Sequence, residues 1–299
     1  MDVEITLNDG TSYFLSDYDI YAKDFIVSSI ELEPHYSEIE NRSGRIDHGA
    51  TFKDRTITVP IYTKAHDLHD YALLRDELFS LVVSRESFYI RELRRAKYHA
   101  YEFVDTNEST RYDKKTANKY VGGKRYKVRI ANTIELEQTL LFGEGELVFE
   151  TTELPFAESI GTTADIDKHG LLYSQELWSY GMGLSYNEET HKYTHNTNTF
   201  RIYNAGNVEE LNPFEMDLKI TVEGINGPYE LKNETTGDVF KYTGSNSGKL
   251  LLDGPNITLN GLQAFRDTNR RYITLAPGWN TITQSQNKKV AFDFRFYYK

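Results

Sequence analysis

Thr199-Phe200-Arg201-Ile202-Tyr203-Asn204-Ala205-Gly206 opens a series of short alternating runs separated by turn-formers. Asn212-Pro213 follows, then Leu218-Lys219-Ile220-Thr221-Val222. Ile273-Thr274-Leu275-Ala276-Pro277-Gly278-Trp279-Asn280-Thr281-Ile282 and Val290-Ala291-Phe292-Asp293-Phe294-Arg295-Phe296-Tyr297-Tyr298 come near the end. Apolar side chains at every second position place one face of each run in a core, and the Gly, Pro and Asn clusters between them supply turns. The pattern predicts an antiparallel sandwich that holds or binds.

Working back from there, residues 160–199 have lost this periodicity, and Leu154-Pro155-Phe156-Ala157-Glu158-Ser159 precedes them. A proline, a Gly161-Thr162-Thr163 cluster and a polar tract mark a domain boundary. The expected division is 1–159 and 160–299, the latter a linker followed by the sandwich. The first part opens on a hairpin, Val3, Ile5 and Leu7 turning through Asn8-Asp9-Gly10 into Tyr13-Phe14-Leu15. Phe25–Leu32 reads as one strand, Ser43–Ala50 as a polar loop, and Arg55–Tyr62 as a strand in which Pro60 favours an edge or bulge. One helix is expected, capped by Asp67 and ending near Ser84, with Leu68, Tyr71, Ala72, Arg75, Leu78 and Val82 at helical spacing and Leu74 and Leu81 widening the stripe. Phe88–Leu93 and Tyr98–Val104 read as a hairpin about Arg94-Arg95-Ala96-Lys97. Asp105–Gly123 reads as a long loop or projecting arm.

Cysteine is absent, which removes disulfides, thiol nucleophiles and thiolate metal sites together and fits assembly in a reducing cytoplasm. No secretory signal and no apolar run of membrane-spanning length is visible. A net charge of −11 disfavours an electrostatically held nucleic acid. The charge is segregated: residues 1–84 carry 7 basic and 16 acidic side chains, 85–130 carry 13 and 6, and 131–155 carry none and 6. Either these neutralise one another within a subunit, or unlike faces meet between subunits. On the second reading the interface residues are Arg91, Arg94, Arg95 and Lys97, or the group Lys114, Lys124, Arg125, Lys127 and Arg129.

No residue earns a catalytic, cofactor or metal assignment. In His66-Asp67-Leu68-His69-Asp70 the carboxylates are already explained as helix-capping groups. Gly244-Ser245-Asn246-Ser247-Gly248-Lys249 is one residue short of a phosphate loop and reads better as a turn. The nucleophile elbow motif is missing. Trp178 and Trp279 offer rings to a sugar, although a Trp beside Pro277-Gly278 more commonly packs a turn.

Taken in order, several pieces resemble one family. They are the Asp67–Val83 helix after its strand, Leu147-Val148-Phe149 with Leu154–Ser159, Phe200–Gly206 with Asn212-Pro213, Glu230-Leu231-Lys232-Asn233-Glu234-Thr235-Thr236-Gly237, and Leu275–Ile282. The chain resembles the distal tail proteins (Dit) of long, non-contractile-tailed phages infecting Gram-positive bacteria. That resemblance implies a mainly β fold: a sandwich-like N-terminal domain with one α-helix, then a jelly roll similar to galectins and carbohydrate-binding modules. It implies a structural virion protein without enzymatic activity or cofactor, forming a homo-hexameric ring at the tail tip after synthesis in the host cytoplasm. The implied partners are the major tail tube protein, the tape measure protein, a tail-associated hydrolase or fibre, and a receptor-binding protein. A module that itself binds wall glycans is the alternative.

Overall fold

Thr56–Lys64 alternates along its whole length, turning Ile57, Val59, Ile61 and Thr63 inward. It pairs antiparallel with Phe142–Thr151 from Phe142 opposite Lys64 to Glu150 opposite Thr56. On its other side two short strands share the edge: Ile20–Ala22 opposite residues 61–63, and Ile26–Val27 opposite 57–58. Pro60 falls in the gap between those two pieces, where a missing N–H costs no ladder bond. This computed structural model describes residues 1–94, 100–103, 112–115, 122–171, 177–179, 181–184 and 188–299. The chain is mainly β and forms two compact units, Met1–Pro155 and Phe156–Lys299.

In the first unit the sheet order is Ser12–Phe14, Asp2–Thr6, Phe88–Leu93, Lys124–Ile130, Phe142–Thr151, Thr56–Lys64, Ile20–Ala22. The helix runs Asp70–Val82, starting three residues after Asp67. Asp67 nevertheless caps it: its carboxylate accepts the backbone N–H groups of His69 (2.7 Å) and Asp70 (2.9 Å), which holds its pKa below the usual value. Tyr71, Leu74, Leu78 and Val82 face the core with Val3, Ile5, Phe88 and Phe149, whereas Leu68, outside the helix, is exposed. Each fully buried side chain of this kind stabilises the fold by about 1.5–3 kcal/mol.

Three expectations for this half are corrected. Phe88–Leu93 does not fold back on the next segment; its neighbours are Asp2–Thr6 and Lys124–Ile130. Ala100–Phe103 instead pairs with Tyr112–Lys115, so the stretch read as a long loop or projecting arm contains a strand. Phe25–Leu32 is not one strand either. Ile26–Val27 joins the sheet, and the chain then leaves it to form a two-stranded ribbon, Leu32–Ser37 against Ile46–Phe52, through the segment read as a polar loop.

The second unit is a sandwich of two antiparallel sheets. One runs Thr194–His195, Lys289–Phe294, Leu218–Asn226, Ser247–Asp253, Asn256–Leu259, Leu262–Gln263; the other runs Thr199–Asn204, Gly278–Gln284, Tyr229–Asn233, Val239–Tyr242. Phe200 and Phe292 meet edge to face between them at 6.1 Å. Ala157–Ser159, grouped with the first half from sequence, pairs with the C-terminal Tyr297–Tyr298. A second helix, Thr163–His169, lies in the stretch that shows no periodicity; the Asp165 carboxylate accepts the N–H of Thr162 at its start. Three buried tyrosines of this unit are anchors with paired hydroxyls: Tyr193 donates to Tyr203 O (3.0 Å), Tyr229 to Gln284 (2.9 Å) and Tyr298 to Met182 O (2.8 Å). Burial pushes all three hydroxyl pKa values up.

The motifs that carried the family resemblance turn out to be turn-fixing devices. Asn280, fully buried, accepts from Ala276 N–H (2.9 Å) and donates to Ala276 O (2.7 Å), closing the Ala276-Pro277-Gly278 turn in which Gly278 has φ +80°. Asn233, also fully buried, donates to Thr274 O (2.7 Å) and to Asn280 (3.0 Å), while its own oxygen takes Thr235 N–H (3.0 Å). Gly206 leaves no room for a side chain, since a Cβ there would lie 2.6 Å from Tyr297 O.

Candidate subunit-contact surfaces

Strand Lys124–Ile130 buries Val128 and half-buries Tyr126 against the core, so Arg125, Lys127 and Arg129 share the opposite face. Its register with Phe88–Leu93 sets Lys127 opposite Tyr89. Tyr89 becomes the platform of a basic patch: the Arg125 guanidinium lies 3.8 Å from the ring centroid and the Lys127 ammonium 5.8 Å. Lys127 also reaches Glu153 at 2.5 Å. Arg129 is exposed opposite Glu150. Burial, with the Arg55 cation nearby, lowers the pKa of the Lys124 ammonium.

Of the first group of predicted contact residues, the two that are described are each paired within the subunit. Arg91 is 8% exposed and is spent within its own subunit on Glu4 (3.1 Å) and the Gly122 carbonyl. Arg94 pairs with Glu92 at 2.5 Å. Arg95 and Lys97 lie outside the described residues; Lys114 sits on the Tyr112–Lys115 strand, and its side chain is outside the description.

The feature that sequence reasoning missed is the Leu32–Ser37/Ile46–Phe52 ribbon. Two strands alone are at best marginally stable in water without a further surface to cover them. Here Leu32 faces Phe52 across the ribbon, and Leu32, Tyr36 and Ile39 are each about half exposed or more (56%, 48% and 52%). Arg45 lies over the Tyr36 ring at 4.6 Å. The root is closed by backbone bonds between Glu31, Lys53 and Asp54 and by a Lys53–Glu31 ion pair at 3.0 Å, which raises the pKa of Lys53. Residues 31–54 hold six carboxylates (Glu31, Glu33, Glu38, Glu40, Asp47, Asp54) against three cations (Arg42, Arg45, Lys53). Neither strand alternates between buried and exposed positions, so no burial pattern marked them in the sequence, and Gly44 and Gly49 read as loop.

In the second unit a shallow cleft of about 280 Å³ is lined by Glu189, Lys192, His195, Phe200, Arg201 and Trp279, among others. Arg201 covers one face of the Trp279 indole at 4.5 Å and approaches Glu189 at 3.6 Å, while Tyr203 meets the indole edge-on at 5.1 Å. The stacking surface considered for a sugar is therefore occupied on that face by a guanidinium. Trp178 is buried against Phe296. Of the phosphate-loop-like stretch read as a turn, only Gly244–Asn246 connect strands; Ser247, Gly248 and Lys249 already belong to the Ser247–Asp253 strand. Among the described residues no group of three His, Asp or Glu side chains is placed to hold a metal, and no helix is long and apolar enough to cross a membrane.

Comparison with known proteins agrees with this architecture. Residues 8–151 match the phage tail protein RIFT-related domain. The whole chain superposes on the crystal structure of the Dit protein of phage SPP1, described as a paradigm of the hub adsorption apparatus in phages infecting Gram-positive bacteria. The TM-score is 0.61 at 15% identity, over 98% of this chain and 99% of that one. Chains of the phage p2 baseplate in its activated conformation, with strontium or with calcium, align with TM-scores of 0.40 at 10% identity, covering 98% or 99% of this chain and 97% of each of those. No curated protein matches.

Proposed function

We propose that this chain is a distal tail hub: residues 8–151 match the phage tail protein RIFT-related domain, and the chain shares the fold of the phage SPP1 Dit protein. Its copies close into a ring, six-fold as the family resemblance implies, joining the tail tube to the tip and carrying the host-adsorption proteins. The first unit is the ring-forming part and the jelly-roll-like second unit the platform. Its role is mechanical, with no reaction catalysed. The neighbours are the tube and tape measure proteins on one side and a tail-associated hydrolase or fibre and a receptor-binding protein on the other, within the virion tail.

The observation that carries the self-assembly is the ribbon. A closed ring needs a heterologous contact, in which two different patches of one subunit meet. The acidic, apolar-studded ribbon and the basic Lys124–Arg129 strand are two such patches of opposite sign. Opposite charge raises the association rate and fixes register, while Leu32, Tyr36 and Ile39 supply the apolar area. An acidic excess elsewhere suits a lumen through which DNA passes without adhering.

Because Glu31 and Lys53 are bonded at the ribbon root, residues 32–52 can be replaced by a short Gly-Ser turn without straining the sheet. Light scattering and electron microscopy of the purified chain should show rings, and the ribbon-less variant should remain monomeric with unchanged circular dichroism. Replacing Arg125, Lys127 and Arg129 by Glu should weaken assembly in a salt-dependent way. Rings formed equally well without the ribbon would refute this assignment of the contact.

A further inference from the structure

Leu262–Gln263 is the last strand of the six-stranded sheet of the second unit, and Val239–Tyr242 is the last of the four-stranded sheet. Residues 264–271 cross from one edge to the other and close that side of the sandwich. At one end Ala264 N–H donates to Ile257 O (2.9 Å). At the other, Asn269 N–H donates to Lys241 O (3.0 Å), Lys241 N–H to the Asn269 side chain (3.0 Å), and that side chain to Val239 O (2.7 Å). Ala264 and Thr268 are buried, and Thr268 bridges Tyr242. The crossing is thus pinned along its length.

What it presents outward is unusual for this chain. Leu262 is 75% exposed, Phe265 is 38% exposed, and Arg266, Arg270 and Arg271 are all exposed. The other two arginines of the unit, Arg201 and Arg295, are paired with carboxylates. These three make no ion pair with any described residue, and Asp267, the one carboxylate of the crossing, makes none either. Arg270 lies 5.9 Å from the Phe265 ring and is held at φ +56°, a left-handed conformation that a side chain disfavours. Such outliers concentrate where a fixed geometry serves binding.

The geometry points to a docking surface for an acidic, extended segment of a partner protein along this closed edge. Three un-neutralised guanidiniums in a chain of net charge −11 complement carboxylates, which arginine grips in bidentate fashion. Leu262 and Phe265 beside them are apolar anchors that a mineral or sugar polyanion does not use, whereas arginine and aromatic residues together are the usual composition of protein hot spots. This surface is independent of the ring contact assigned to the first unit.

The test uses the full-length chain and a fluorescein-labelled peptide of repeated Glu-Leu-Glu-Phe, with polyglutamate and polyphosphate as comparison ligands. The native chain should bind the peptide more tightly than either polymer. Arg266→Glu, Arg270→Glu and Arg271→Glu together should weaken it by about tenfold or more, and Lys at all three positions should restore only part of it. Leu262→Ser with Phe265→Ser should weaken the peptide and leave polyglutamate unchanged. All five positions are exposed, so unchanged circular dichroism is expected. Absence of peptide binding overturns the proposal. So does equal binding of polyphosphate that is insensitive to the Leu262 and Phe265 changes, which would mark a polyanion site. Loss of ring assembly in the arginine variants overturns it too, by making the edge a contact between copies.

Discussion

Arg91 and Glu4 pair at 3.1 Å across adjacent strands, with side chains only 9% and 16% exposed. They sit directly opposite in the register of Asp2–Thr6 with Phe88–Leu93, so the charge pair locks the N-terminal strand in place. Removing the carboxylate leaves a largely desolvated guanidinium without its counter-charge, held by the Gly122 carbonyl but not neutralised, at a cost of up to about 3–5 kcal/mol. Glu4→Gln should destabilise the first unit by up to that amount and lower its thermal midpoint accordingly, while Glu4→Gln combined with Arg91→Met should recover much of the loss. Calorimetry of the three variants provides the check. Arg91→Glu should fail by unfolding rather than by disassembly.

Asn280 supplies a second lever. Its amide closes the 276–278 turn and receives Asn233, so Asn280→Leu strands Ala276 N–H, Ala276 O and one Asn233 hydrogen inside the protein. Each unmatched buried group costs roughly 1–3 kcal/mol. Both tryptophans, Trp178 and Trp279, lie in the second unit, so urea unfolding followed by indole fluorescence reports that unit alone. The variant should unfold at clearly lower urea, with Asn280→Asp intermediate because it keeps the acceptor.

How much of this was legible beforehand depends on range. Val3-Ile5-Leu7, the Thr56–Lys64 alternation and the Tyr71–Val82 stripe are local periodicities, and each forms the element that its spacing predicts. Partner choice was not legible. Phe88–Leu93 looked like half of a local hairpin, but its true neighbours lie about 85 residues earlier and 35 later in the chain, and alternation carries no information about which strand it meets. The Thr163–His169 helix is too short for a periodic stripe; its one signal was Asp165 placed three residues after Thr162. The ribbon escaped because its residues face solvent on both sides, leaving no burial pattern to read. Among the proposed contact charges, sequence showed the sign of Arg91 but could not show that Glu4 already neutralises it.

His195 makes the second unit sensitive to acid. Its ring stacks on Phe200 at 4.6 Å, and burial depresses its pKa from the usual 6.5. The folded state therefore prefers the neutral ring, and below about pH 6.5 the unfolded chain takes up the proton first. Stability should fall as pH drops from that value through the folded pKa and then level off. His195→Phe keeps an aromatic ring against Phe200 and removes the titration, though it also loses the 3.0 Å bond to Lys192 O. Its thermal midpoint should start lower at neutral pH and decline less steeply between about pH 7 and about pH 5 than that of the native chain. Parallel slopes would show that His195 contributes no linkage.

Arg270 carries the last prediction, because its backbone conformation and its exposure pull in opposite directions. At φ +56° its Cβ crowds the following carbonyl, a strain of order 1–2 kcal/mol, and its side chain gains no ion pair among the described residues in return. Glycine adopts this conformation freely but loses more chain entropy on folding, by roughly 0.5–1 kcal/mol. The difference leaves Arg270→Gly more stable than the native chain by about 0.5–1 kcal/mol. Arg270→Asn should gain less, since asparagine tolerates the left-handed region only in part. The 3.2 Å bond from the backbone N–H of residue 270 to Thr268 Oγ1 survives both changes. Urea midpoints read from tryptophan fluorescence should rise in the order native, Asn, Gly, with unchanged slopes. A glycine variant that unfolds earlier would mean that the Arg270 side chain stabilises the crossing in the free subunit. A variant that is more stable yet binds the Glu-Leu-Glu-Phe peptide less tightly would mean that stability has been traded for the docking surface.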